Sequence, residues 1–497
     1  MENSNIIRWI EQKSEARKRE ILNAPDAVEI VGTAYYVSNG GNDQNDGKSP
    51  DTPWRTLDRV NAASLAEGDG VLLRRGDVFR GRIIARSGVT YAAYGKGKKP
   101  ALYGWSENLA SPDLWELYDG EKNIWKYKKK ITDCGTLVFD EGERHSRKLI
   151  PSYINGVFVC RDNENKPFDM REQMTNDLDL YTPYCERLTA EMLKGESFPV
   201  PVVDSESYGE LYLRCDGGNP GEVFDSVEAV AKTMLITARG VPNVHIDNLC
   251  LKYACFGVSG GGRVTGLKIT NCEIGWIGGN VQNYFGIDPN YPQGGRGTVT
   301  RFGNGVEVYG NCDGYEVSGC YIYEAYDAGI THQVTTRGDF VKMKHIAYKD
   351  NLVERCVYAI EYFLEKTDGD TQSYMEGLEI SGNILRLSGY GWGQQRHNVD
   401  TPALIKGWSY ENTASDFVIH DNIFDRAAYR MLHLVAKEAE SCPRMYGNTY
   451  IQDLGKPLGQ YGANEECEPE VLVFDERAEQ KVASAFGDTG AAVHAVK

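Results

Sequence analysis

Residues 346–365 read IAYKDNLVERCVYAIEYFLE, and the punctuation of this stretch decides the fold. Tyr348 is followed five positions later by Val353, with Asp350-Asn351 between them. Twelve positions after Tyr348 stands Ile360, inside a second alternating run, YAIEYFLE. Alternation with a period of two marks β-strands. Asp and Asn accept left-handed backbone and bond locally, which a sharp corner between short strands requires.

The same unit recurs from about residue 243. Its first apolar positions are Ile246, Ile269, Val317, Tyr348, Ile380, Ile419 and Met445. Five later stand Leu251, Ile274, Ile322, Val353, Leu385, Phe424 and Tyr450. The corners are DN, TNC, SGC, DN, GN, DN and GN, with Asn351, Asn383, Asn422 and Asn448 in one register. Successive starts lie 23, 48, 31, 32, 39 and 26 residues apart. Leucine-rich and helical repeats hold a tighter period, so this pattern predicts a right-handed parallel β-helix whose loops change length from rung to rung. A third strand is expected about twelve residues after each start, with Val258, Ile330, Ile360, Trp392 and Met431 pointing inward. An insertion at 280–302 rejoins the pattern at Val306.

The rest of the chain divides around these rungs. Ile6, Ile7, Ile10 and Ile21 among charged residues predict an amphipathic helix at about 5–22, within a cap segment 1–30 that covers the open end of the coil. Residues 31–105 supply the first rungs, and 106–240 an inserted β-rich, sandwich-like domain or a set of long excursions. The main rungs run over 241–475 and a tail over 476–497, in an all-β chain.

Among the 497 residues are 54 Gly and 30 Tyr, and the net charge is −17. So acidic a chain repels phosphate backbones, which argues against nucleic acid as a partner. No run of about 18 apolar residues is present, so no membrane-spanning helix is expected. The N-terminal segment carries charges throughout and lacks the apolar core of a signal peptide, so a cytoplasmic, bacterial protein is expected. The 12 Cys show no CxxC pair or zinc spacing and read as free thiols. Walker, dinucleotide-binding, HExxH and GxSxG motifs are missing, and SGGGR at 259–263 reads as a tight turn. Nothing in the sequence excludes a homo-oligomer.

Three texts carry a family resemblance: GDGVLLRRGDVFRG (68–81), YINGVFVCR (153–161) and GELYLRCDGGNPGE (209–222), followed by the Asn-cornered rungs. In that order they resemble right-handed β-helix carbohydrate-active enzymes, a group of glycoside hydrolases with an inserted β-rich domain that includes β-xylosidases. The resemblance covers nearly the whole chain through architectural motifs. It implies a glycoside hydrolase acting on oligosaccharides without a cofactor; it carries over no catalytic residue.

Candidate chemistry follows from strand parity. The residue after each inward third-strand position faces out, giving the column Ser259, Glu307, Thr331, Glu361 and Gly393. Two carboxylates in one column match the acid and base (or nucleophile) of glycoside hydrolysis. Asp327 precedes the strand between them, though Asp before a turn also serves as a corner residue. Rungs about 4.8 Å apart put Glu307 and Glu361 roughly 9–10 Å apart at the backbone. That suits inversion (~6.5–9.5 Å between carboxyls), while Asp327 with Glu361 suits retention (~5–5.5 Å). The sequence leaves both open. Candidate substrate contacts are Thr331, His332, Tyr284, Tyr390, Trp392, Arg396 and His397, although parity turns His332 and Trp392 towards the core. No metal is expected for hydrolysis. A polysaccharide lyase, needing calcium and an Arg or Lys base, or an epimerase remains an alternative on this fold. The expected column has no cation, and the acidic balance favours neutral, exo-cleaved oligosaccharides. A non-catalytic glycan-binding β-helix is the alternative of a different class.

Overall fold

The computed structural model describes residues 3–150, 170–183, 209–285, 298–367, 369–395, 402–408, 414–466 and 468–496, with the strand pairs 153–154 and 157–158. Side chains of 283–285 and 298–300 lie outside the described set. The chain coils into a right-handed parallel β-helix with three long faces, called here sheets 1, 2 and 3 in the order the chain visits them.

On sheet 1 the inward column is Tyr91, Ile246, Ile269, Val317, Tyr348, Ile380, Ile419 and Met445, each paired with the next. On sheet 2 it is Leu102, Leu251, Ile274, Ile322, Val353, Leu385, Phe424, Tyr450 and Val493. Both columns contain the repeat positions expected from the sequence, in the same register. Nearly all these side chains are buried in one continuous core, each worth about 1.5–3 kcal/mol of transfer free energy before chain entropy is counted.

The corner between sheets 1 and 2 explains the recurring Asn. The residue before it takes positive φ: 54° at Asp350, 66° at Gly382, 53° at Asp421 and 68° at Gly447. The Asn side chains then stack inside. Asn351 donates to Asn383, Asn383 to Asn422 and Asn422 to Asn448, each at 2.9 Å. Asn448 ends the ladder on Asp488 at 2.8 Å. Each amide also donates to a neighbouring rung's carbonyl, while its oxygen accepts the preceding rung's N–H. A buried polar column is stable because every group in it is satisfied. In the two rungs upstream, Cys272 and Cys320 take the same place and direct their thiols at the equivalent carbonyls of Ile246 and Ile269. All cysteines among the described residues are free thiols.

Sheet 3 departs from the expected spacing. Its inward column is Ile83, Ile236, Val258, Val306, Ile330, Ile360, Ile405 and Leu432. Trp392 and Met431 therefore do not hold the expected register. Trp392 belongs to a 3-10 turn, Trp392–Gln395, inside an excursion that delays the next strand to Ala403–Gly407. The strand after that is offset by one residue, so Leu432, not Met431, pairs with Ile405.

The N-terminal helix Asn3–Leu22 lies along the outer face of sheet 2; it does not cap the coil's end as expected. Ile6, Ile10 and Ile21 pack on Tyr321, Leu352, Ile384 and Ile451, the residues flanking the inward column, and Glu11 accepts from Arg386 at 3.1 Å. The open ends are closed by other elements. Helix Leu57–Ala62 buries Leu57 and Val60 beside Trp54 at the first rungs. Helix Ala478–Ala485 buries Ala478 and Val482, followed by Phe486 against Tyr450 and Tyr461. Strand Ala492–Val496 then joins sheet 2, so the C-terminal segment is integrated into the coil.

Three excursions leave the corner between sheets 2 and 3. The largest follows Ala101–Tyr103, contains a five-stranded sheet with its own core, and returns through Val227–Arg239. The first half of that return strand pairs antiparallel with Cys134–Phe139, and its second half enters sheet 3. The others are the hairpin Asn280–Phe285 with Thr298–Phe302, and the segment between Ser388 and Ala403. The described parts of all three leave the coil at this one corner, on the approach to sheet 3.

Candidate active site

The outward column of sheet 3 is Ser259, Glu307, Thr331, Glu361, Lys406, His433 and Gln460. Gly393 is not in it, because it stands in the turn beside Trp392. Its place is taken by Lys406, so the column does contain a cation, contrary to expectation. Inward Val306 and Val308, and inward Ile360 and Tyr362, hold Glu307 and Glu361 facing outward.

Glu307 is 4% exposed. Its Oε2 accepts from Asn304 Nδ2 at 2.7 Å and from Gln333 Nε2 at 3.3 Å. Asn304 is itself oriented, because its Oδ1 accepts the Ala328 N–H at 2.9 Å. Gln333 is oriented by Thr331, whose hydroxyl donates to the Gln333 carbonyl oxygen at 3.1 Å. Burial pushes the Glu307 carboxyl up to about 7 and nearby Asp327 adds to the rise, while Asn304, Arg239 and Gln333 oppose it. With both donors on Oε2, the acid proton belongs on Oε1.

Glu361 is 5% exposed and sits in a different environment. Its Oε1 receives the Trp408 indole N–H at 2.9 Å and lies 3.3 Å from the Lys406 ammonium. Lys406 donates to the Tyr358 hydroxyl at 3.1 Å and stands 4.2 Å over that ring and 4.9 Å from the Trp408 ring. One carboxyl is thus buried among neutral amides and the other against an ammonium.

Asp327 is buried near Glu307, its backbone oxygen accepting the N–H groups of Val357 and Tyr358. Thr331 lies between the two Glu residues in the column. His332 is fully buried and points inward, as parity required; it bonds Tyr348 Oη at 2.7 Å and stacks on Tyr362. It cannot meet a substrate from there. Trp392 is likewise 1% exposed, with its indole N–H on the Glu324 carbonyl at 2.7 Å and its ring on Tyr326, so it is a packing residue. Tyr390 is exposed but its hydroxyl engages Lys456, away from Glu361. Arg396 and His397 lie outside the described residues, as does the side chain of Tyr284. The sequence reading missed Asn304, Tyr358, Lys406 and Trp408. The alternation ALIKGW (403–408) was the signal for the last two.

The wall at the Glu307 end is tied down by buried charge. Asp133 and Lys148 form an ion pair with almost no solvent contact, and Asp133 also accepts from Thr182 Oγ1 at 2.8 Å and the Val281 N–H at 2.7 Å. This joins the inserted domain to the hairpin. Arg301, fully buried, donates to the carbonyls of Gly279 at 2.6 Å and Gly135 at 3.0 Å. Among the described residues no group of three or more His, Cys, Asp or Glu is placed to hold a metal ion.

Comparison with known proteins adds a short sequence match and several distant structural ones. No protein-family profile matches the chain. It is 34% identical over 123 residues to a lacto-N-biosidase of Bifidobacterium longum subsp. longum; that stretch is 22% of this chain and 7% of the biosidase. Among solved structures it is similar to a protein described as a glycoside hydrolase (TM-score 0.47, 10% identity, 94% of this chain and 97% of the other). It is also similar to XylC in complex with xylose (0.41, 13%, 93% and 83%). A GH136 lacto-N-biosidase from Eubacterium ramulus gives 0.35 at 13% identity, over 99% of this chain and 72% of that one. Among the described residues, no helix is long and apolar enough to cross a membrane.

Proposed function

We propose that the protein is a carbohydrate-active enzyme, and specifically a glycoside hydrolase acting on neutral oligosaccharides. The observation that carries this reading is the pair Glu307 and Glu361: two nearly buried carboxyls in one outward column, two rungs apart, in opposite environments. Glu307 is the general acid and Glu361 the base. Backbones about 9–10 Å apart leave room for a water molecule, as inversion requires. In that step Glu361 takes a proton from water as the water oxygen attacks the anomeric carbon. The glycosidic C–O bond breaks, and the Glu307 proton passes to the leaving oxygen. Asp327 stays beside the acid, where its charge helps keep the proton on Glu307. Excursions from the corner before sheet 3 wall the groove, which favours cleavage at a chain end. The short likeness to a lacto-N-biosidase points the same way.

Lys406 lends some support to a second reading, elimination from a uronate, since an amine in the column is what a lyase base needs. Its engagement by Glu361, Tyr358 and Trp408 favours a role as counter-charge. Product analysis on a panel of neutral and uronate oligosaccharides separates the two. New reducing ends without unsaturated product support hydrolysis, and unsaturated uronides refute it.

A further inference from the structure

Glu361 meets a hydrogen-bond donor and an ammonium at the same atom. The Trp408 indole N–H bonds Oε1 at 2.9 Å, and Lys406 Nζ forms an ion pair with Oε1 at 3.3 Å. Neither group is free to wander. The Trp408 ring packs on Phe363 with centroids 4.7 Å apart, which fixes the direction of its N–H. Lys406 is bonded to Tyr358 Oη at 3.1 Å and lies over the Tyr358 and Trp408 rings. An ammonium close to two ring faces gains attraction at each, on top of the ion pair. Lys406 lies in strand Ala403–Gly407 and Trp408 directly follows it, its backbone N–H on the Tyr362 carbonyl, so the alternation carries on and both side chains reach Glu361 from the next rung.

We propose that Lys406 and Trp408 clamp Oε1 of Glu361 and thereby select Oε2 as the atom that takes the proton from the attacking water. The proposal rests on the reading of Glu361 as the base and makes Lys406 and Trp408 positioning residues. Other titratable or charged groups around the pair are Glu307, Asp327 and Arg239 on the upstream side, and Arg430 and His433 downstream, where burial holds the His433 imidazole neutral. Tyr358 is the hub that keeps Lys406 in place. With Oε1 held on both sides, rotation of the carboxylate is opposed, and on this proposal Oε2 is left to meet the water. Pre-set geometry of this kind acts on the chemical step and leaves substrate affinity alone.

The test compares the wild type with Lys406→Met, Lys406→Arg and Trp408→Phe, on an aryl glycoside that the wild type turns over. Lys406→Met and Trp408→Phe are expected to lower kcat by about 10- to 100-fold, with KM within about twofold, and Lys406→Arg to restore most of the loss. In the crystal structure of Lys406→Met, Glu361 is expected to leave Trp408, with Oε1 beyond hydrogen-bond distance. Unchanged kcat in Lys406→Met or Trp408→Phe overturns the clamp, as does a Lys406→Arg variant no better than Lys406→Met. So does a Glu361 carboxylate still seated on Trp408 in the Lys406→Met crystal. If Glu361→Gln turns over like the wild type, or no glycoside is cleaved at all, the hydrolase reading fails separately. The seating of Oε1 on Trp408 and Lys406 is then judged by the crystal structure alone, and the proton-accepting role of Oε2 falls with that reading.

Discussion

Replacing Glu307 with Gln is expected to stabilise the protein at alkaline pH and to leave it unchanged in acid. The carboxyl titrates near 4.5 in an unfolded chain and is pushed up to about 7 by burial in the folded one. Between those values the folded state holds a proton that the unfolded state has lost, so stability falls as pH rises through the window. Above about pH 7 the loss is complete. At 1.36 kcal/mol per pH unit it amounts to about 3 kcal/mol, an upper estimate because water reaching the groove lowers it. Gln carries no charge and keeps an oxygen for Asn304 and Gln333, so its stability lacks this slope. The assay is urea unfolding of both proteins at pH 4, 6 and 8, compared at equal m. The variant should match the wild type at pH 4, exceed it by about 2 kcal/mol at pH 6 and by about 3 kcal/mol at pH 8. A difference independent of pH, or a variant less stable at pH 8, would show that Glu307 is not a buried neutral acid.

The same proton sets the pH profile. kcat/KM should fall above about 7 as Glu307 gives up its proton, and a leaving group that needs no protonation should flatten that limb. Asn383→Ala removes donors to Asn422 and Tyr348 and the acceptor for Asn351. It should cost about 3 kcal/mol in urea unfolding, several times a surface Asn→Ala control. Lys148→Met leaves Asp133 buried without its counter-charge and should cost about 3–5 kcal/mol by the same measurement.

What was legible in the sequence follows the range of the interactions. Sheets 1 and 2 are joined by a corner of constant length, so Tyr348 and Val353 or Ile380 and Leu385 could be placed in register by counting. The corner between sheets 2 and 3 carries the excursions, and counting twelve residues failed where one of them intervened, at Trp392. Alternation within ALIKGW, a local signal, would have located Ile405 and with it Lys406. The N-terminal helix shows the same division. Its apolar stripe was plain, but its partner was hidden in pairs such as Leu352-Val353 and Ile384-Leu385, where both faces of the strand are apolar because both are covered. The two carboxylates were visible by parity. Their difference was not, since the proton on Glu307 depends on Asn304, Gln333 and the burial around them, and the pairing of Glu361 depends on a lysine one rung away.

The most direct test of the central claim is the release of reducing ends from a panel of neutral oligosaccharides by the wild type and by Glu361→Gln. The account predicts release by the wild type and loss of turnover by at least about 1,000-fold in a variant that remains folded. Release undiminished by Glu361→Gln would contradict it.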